Sequence, residues 1–136
     1  MKVGVIGSGG REHALCQSLK QSKEISQIYC FPGNAGTDQI ARNIDINLSN
    51  FEQLKNFIIK EKINYIVVGP EKPLVDGIVD YLEKFNIKVF GPNKIASQLE
   101  GSKIFTKNLC KKYRIPTANF GIFENKDDAI NNLKNI

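Results

Sequence analysis

Between Gly7 and His13 the chain reads GSGGREH: three glycines, then an arginine, a glutamate and the chain's one histidine. Glycines between a strand and a helix let backbone N–H groups approach a phosphate at the helix N-terminus. Arg11 and His13 fall in the first helical turn, where the macrodipole disfavours cations, so their presence there points to an anion. A dinucleotide fits poorly. Its fingerprint asks for glycine at positions 7, 9 and 12, but position 12 is Glu12, and the next apolar run ends Tyr29-Cys30-Phe31-Pro32 with no acid for ribose hydroxyls. A single phosphate fits better, with Gly9 and Gly10 offering N–H donors and Arg11 a forked guanidinium. The loop alone leaves open a plain tight turn with surface cations. For His13, a packing or capping role stands beside a ligand contact.

Two further stretches carry candidate contacts. In PGNAGT, Pro32–Thr37, the residues Asn34, Gly36 and Thr37 offer backbone and hydroxyl donors, or else make a simple turn. In GPEKP, Glu71 sits between two prolines that fix its direction. An acid beside a phosphate suits a sugar hydroxyl or an amine, and a solvent-facing glutamate is the alternative.

These loops need a frame that brings them together. Lys2–Ile6 reads as a buried strand, with Ala14, Leu15, Ser18 and Leu19 recurring at helical spacing after it. Gln27–Phe31 reads as a second strand and the alternating Ile44–Leu48 as a third, while Ser49 and Glu52 have capping-box spacing for a helix burying Phe51, Leu54, Phe57 and Ile58. Tyr65–Val68 makes a fourth strand, Leu74, Val75, Ile78, Val79 and Leu82 form the stripe of one helix, and Lys88–Phe90 makes a fifth strand. This alternation predicts a Rossmann-like α/β fold, a parallel sheet flanked by helices, whose site lies at the carboxyl ends of the strands. From about Asn93 the alternation ends. Two helical patterns, Ile95–Leu99 and Ser102–Tyr113, lead to one strand over Ile115–Phe123 and a short helix over Asp127–Leu133. That remainder reads as the opening of a second domain, since a lone strand and helix bury little apolar surface.

With 136 residues, 41% apolar and 24% charged, the chain has the composition of a soluble globular protein. It shows no apolar stretch long enough for a bilayer and no leader, so a cytoplasmic location without membrane contact is expected. The net charge of +5 comes from scattered lysines whose one dense cluster is Lys111, Lys112 and Arg114, read as a solvated face with no nucleic-acid partner. Cys16, Cys30 and Cys110 share no CxxC spacing and read as reduced packing residues, with no metal.

Taken in order, GSGGREHAL, PGNAGT, VVGPEKPLVDGI, VFGP and QLEGSK closely resemble the N-terminal part of the phosphoribosylamine glycine ligases, also called glycinamide ribonucleotide synthetases, over essentially the whole chain. The resemblance implies an ATP-grasp ligase of purine synthesis that uses ATP and Mg2+ to convert glycine to an acyl phosphate, which the amine of 5-phosphoribosylamine attacks. It implies a substrate-binding domain over residues 1–100 and, over 101–136, a linker and the truncated start of an ATP-grasp domain. Carried over, it makes Gly9, Gly10 and Arg11 candidates for the ribose phosphate, with Glu12, His13, Asn34, Gly36 and Thr37 around them and Glu71 for the sugar or amine. Lys103 matches a basic position near the nucleotide phosphates. Lys72 departs from the family's usual Ala or Glu. The family's glycine-rich ATP loop and acidic metal ligands would lie beyond Ile136, so no catalytic residue is expected here and the chain alone is expected to be inactive. A non-catalytic nucleotide- or phosphate-sensing module is the runner-up. Related ATP-grasp carboxylases share the sheet and the Lys103 position but lack the PGNAGT and GPEKPL pair.

Overall fold

The computed structural model describes residues 1–133. The chain divides into two compact units, Met1–Ser97 and Gln98–Ile136.

The first unit is built on a five-stranded sheet in the order β3-β2-β1-β4-β5, all pairs parallel. Its strands are β1 (Lys2–Gly7), β2 (Gln27–Pro32), β3 (Arg42–Asn43), β4 (Tyr65–Val68) and β5 (Lys88–Phe90). The chain runs outward from β1 to β3, then returns to start β4 on the other side of β1, which makes the β1/β4 boundary the switch point of the sheet. Alternate residues of the central strands feed two cores. Val5, Ile28 and Cys30 pack with Cys16, Leu15 and Leu19 of α1 (Gly10–Lys20), whereas Ile6, Tyr29, Phe31 and Ile66 pack with Leu54 and Ile58 of α2 (Phe51–Glu61). Helices therefore cover both faces, as a buried parallel sheet requires.

Four expectations are corrected. The third strand lies at Arg42–Asn43, before Ile44–Leu48. That alternation belongs to an extended segment in which Ile46 is buried and Ile44 and Leu48 pack on the core, without a ladder of its own. Helix α2 is capped by Asn50, not Ser49: its side chain accepts from the Gln53 N–H at 3.0 Å. The stripe from Leu74 to Leu82 is split into α3 (Glu71–Asp76) and α4 (Ile78–Glu83) by Gly77, whose φ of +95° few other residues adopt. Glu71 thus opens a helix rather than lying on a loop, with Pro73 in its first turn.

In the second unit, α5 (Lys94–Gly101) carries the division between units and α6 (Lys103–Tyr113) follows, its first turn capped by Ser102 Oγ accepting from the Phe105 N–H at 3.2 Å. Ile115–Phe123 is not a strand, a further correction: its residues are exposed and no strand pairs with them. Lys107 Nζ holds this segment by donating to Thr117 Oγ1 at 2.7 Å and Ala118 O at 3.0 Å. The short helix α7 spans Lys126–Leu133. No helix among the described residues is long and apolar enough to cross a membrane.

Candidate functional site

The register places Gly7 beside Pro32 and Ile6 beside Val68, so the loops after β1, β2 and β4 leave the sheet side by side. Two backbone bonds fasten them there, Gly33 N–H to Gly7 O at 3.1 Å and Gly69 N–H to Ile6 O at 3.0 Å.

The N-terminus of α1 faces this edge. Gly9 is its cap, and the first bond that closes a turn runs from His13 N–H to Gly9 O at 3.1 Å. Gly10, Arg11 and Glu12 therefore bring N–H groups that have no carbonyl a turn behind them. The Gly9 N–H is engaged differently from expectation: it donates to Glu12 Oε2 at 2.7 Å, half of a capping box. Arg11 Nε donates to the other oxygen of Glu12 at 3.2 Å. The two partners differ sharply in exposure, the Arg11 side chain being 60% accessible and that of Glu12 5%. The guanidinium thus reaches solvent while the carboxylate lies inside the loop.

Asn34 organises the second loop. Its Nδ2 donates to Ser8 O at 2.8 Å and Gly9 O at 3.3 Å, bridging to the first loop. Its Oδ1 accepts from the N–H groups of Gly36 at 2.8 Å and Thr37 at 2.9 Å. The wholly buried Thr37 hydroxyl accepts from Asn34 N–H at 2.7 Å, and its one proton lies within reach of Asn34 O and Asn43 Oδ1. The donors of Gly36 and Thr37 are therefore spent inside the loop. His13 is half-buried and its ring packs so closely on Gly36 that a Cβ there would come within 2.7 Å of Nδ1. Glu71 is exposed and makes no hydrogen bond or ion pair with the described residues, while its neighbour Lys72 pairs with Asp76 at 2.9 Å. Lys103, exposed, is the first residue of α6 in the other unit.

Two participants were not anticipated. Asn43 donates through Nδ2 to Asn34 O at 2.8 Å, and no pattern in the sequence marks it. Gly69, directly after β4, gives way to the Glu12 side chain, and a glycine closing a strand is a readable signal of close approach. The cysteines take packing positions: all three are free and buried. The contact with Cys30, together with burial, pushes the Cys16 thiol up. Among the described residues no three of His, Cys, Asp or Glu come together as metal ligands.

Residues 1–100 match the family model described as phosphoribosylglycinamide synthetase, N domain. The chain is 48% identical over 134 residues to a phosphoribosylamine--glycine ligase of Caldanaerobacter subterraneus subsp. tengcongensis, and 47% identical over 134 residues to that of Clostridium acetobutylicum. Each alignment covers 98% of this chain and 32% of the relative, so the chain spans about a third of their length. Among solved structures, the phosphoribosylamine--glycine ligase of Thermotoga maritima superposes with a TM-score of 0.72 at 29% identity, covering 99% of this chain and 30% of that one.

Proposed function

The chain belongs to the phosphoribosylglycinamide synthetase N-domain family, and on that premise we propose that it binds the ribose phosphate of 5-phosphoribosylamine, as the N-terminal portion of a ligase joining that amine to glycine in purine synthesis. One observation carries the reading. At the carboxyl edge of the sheet, the free first-turn N–H groups of α1 and the solvent-reaching guanidinium of Arg11 stand together. Loop, dipole and fork all favour a phosphate there.

On this reading the loop residues take separate roles. Gly10 and Arg11 donate to the phosphate, because the N–H of Gly9 is already bonded to Glu12. Asn34, Gly36 and Thr37 hold the shape of the second loop, and His13 braces it from α1. Glu71, without a partner among the described residues at the start of α3, receives a ribose hydroxyl or the amine of the substrate.

The whole enzyme draws on ATP, whose phosphoryl group activates the glycine carboxylate. In this chain Lys103, opening what we read as the ATP-grasp region, is the residue assigned to the nucleotide phosphates. Mg2+ does not fit the residues present, because the described residues gather no set of acids, and no step is assigned to it.

Calorimetric titration tests the reading. The chain should prefer ribose 5-phosphate and glycinamide ribonucleotide to NAD. Arg11→Ala should weaken both ribose phosphates by roughly ten- to a hundredfold, the worth of one charge-assisted bond. Tighter binding of NAD, or an Arg11→Ala variant that binds as the parent does, would overturn it.

A further inference from the structure

Among the described residues Glu12 is the one charged side chain that is buried. It lies where three glycines make room. A Cβ on Gly7 would fall 2.5 Å from Glu12 Cγ, one on Gly9 2.9 Å from Oε2, and one on Gly69 2.6 Å from Cδ. Gly7 ends β1 and Gly9 follows it, whereas Gly69 directly follows β4, so a single side chain from α1 fills the crevice at the switch point. A carboxylate beside a phosphate site has two opposed effects. Its charge repels the ligand, and its hydrogen bonds aim the groups that hold the ligand. Here Oε2 takes the Gly9 N–H and Oε1 takes Arg11 Nε, which leaves the two Nη groups of Arg11 without a partner among the described residues.

We propose that Glu12 is the positioning residue of the phosphate site: seated in the space that Gly7, Gly9 and Gly69 leave, it fixes the guanidinium of Arg11 through Nε. The inference rests on the ribose phosphate reading above. It predicts a sign. Glu12→Gln keeps the size of the side chain and removes its charge. Were Glu12 only a nearby charge, the variant would bind ribose 5-phosphate more tightly; a positioning role makes binding weaker, by about tenfold. Gly69→Ala leaves both charges in place but pushes the carboxylate out of its seat, and should weaken binding to a similar degree. Both losses should disappear when Arg11 is alanine, because the effect passes through Arg11.

Calorimetric titration of the 136-residue chain with ribose 5-phosphate at fixed ionic strength reads the parent, the single variants and the two double variants. Weaker binding that depends on Arg11 supports the inference. Equal or tighter binding by Glu12→Gln, or a loss that persists without Arg11, overturns it while leaving the phosphate reading intact. No binding by the parent overturns the phosphate reading, and this inference with it. Should Glu12→Gln melt below the titration temperature, Gly69→Ala and its double variant decide alone.

Discussion

In the Met1–Ser97 unit Leu54, Ile66, Ile78 and Leu82 are wholly buried, whereas in the Gln98–Ile136 unit Ile104, Ile115, Ile122 and Phe123 are each more than 40% exposed. Both stretches are rich in apolar residues, so composition does not separate them. The difference is the sheet. A parallel sheet gives each strand two faces to bury and brings distant segments together, whereas the described residues of the second unit form helices and irregular chain, with no sheet of their own. Hydrogen exchange should expose this contrast most strongly. Amides of Tyr65–Val68 are expected to exchange at least about a thousandfold more slowly than those of Asn119–Phe123, because the strand opens only with its core. Equal protection in dilute solution would mean that the second unit is stabilised by something other than burial.

The same contrast explains what the sequence made legible. The strands β1, β2 and β4 are continuous apolar runs because each is covered on both faces, and such runs are read directly. Strand β3 is polar and two residues long, so nothing in Arg42 or Asn43 distinguishes it from its neighbours Ile44, Ile46 and Leu48, whose alternation reflects packing on the core beyond the bond from Ile44 N–H to Cys30 O. Ile115–Phe123 is the opposite case: β-prone residues that have, among the described residues, no neighbouring strand to complete a ladder. In the site, the three loops were readable because glycine, asparagine and proline punctuate the strand ends. The partner of each polar group was not. Sequence shows that Asn34, Thr37 and Glu12 can bond, but whether they bond to a ligand or to the loop depends on backbone N–H groups whose positions only the fold sets.

Truncation of one side chain in each unit sharpens the comparison. Ile66 is fully enclosed by Ile6, Phe31 and their neighbours, and Ile66→Ala should cost about 2–5 kcal/mol of unfolding free energy, transfer and cavity together. Ile104 is 55% exposed, and Ile104→Ala should shift stability by no more than about 0.5 kcal/mol. Urea titrations of both variants measure the pair. A loss at Ile104 as large as that at Ile66 would show a core in the second unit that its exposed residues do not reveal.

The smallest effect concerns two tyrosines. Tyr29 on β2 is buried, and its hydroxyl donates to Glu61 Oε2 of α2 at 2.9 Å, whereas Tyr113 at the end of α6 is 62% exposed. Tyr29→Phe should cost about 1 kcal/mol at neutral pH, more than the bare bond if it leaves Glu61 with one partner fewer, and Tyr113→Phe close to nothing. Burial, then the bond to Glu61, raises the Tyr29 phenol above its ordinary value. A folded pKa above the unfolded one means that the fold favours the protonated phenol. Its contribution is therefore complete below the unfolded value of about 10 and fades as pH rises through the higher folded value. The stability gap between parent and Tyr29→Phe should accordingly stay constant from pH 7 to about 9 and narrow above about 10. Lysine deprotonation in the same range affects both proteins alike and cancels in the difference. A gap that widened at alkaline pH would mean that the ionised phenol is the form the sheet prefers, and that the bond to Glu61 is not what holds Tyr29 in place.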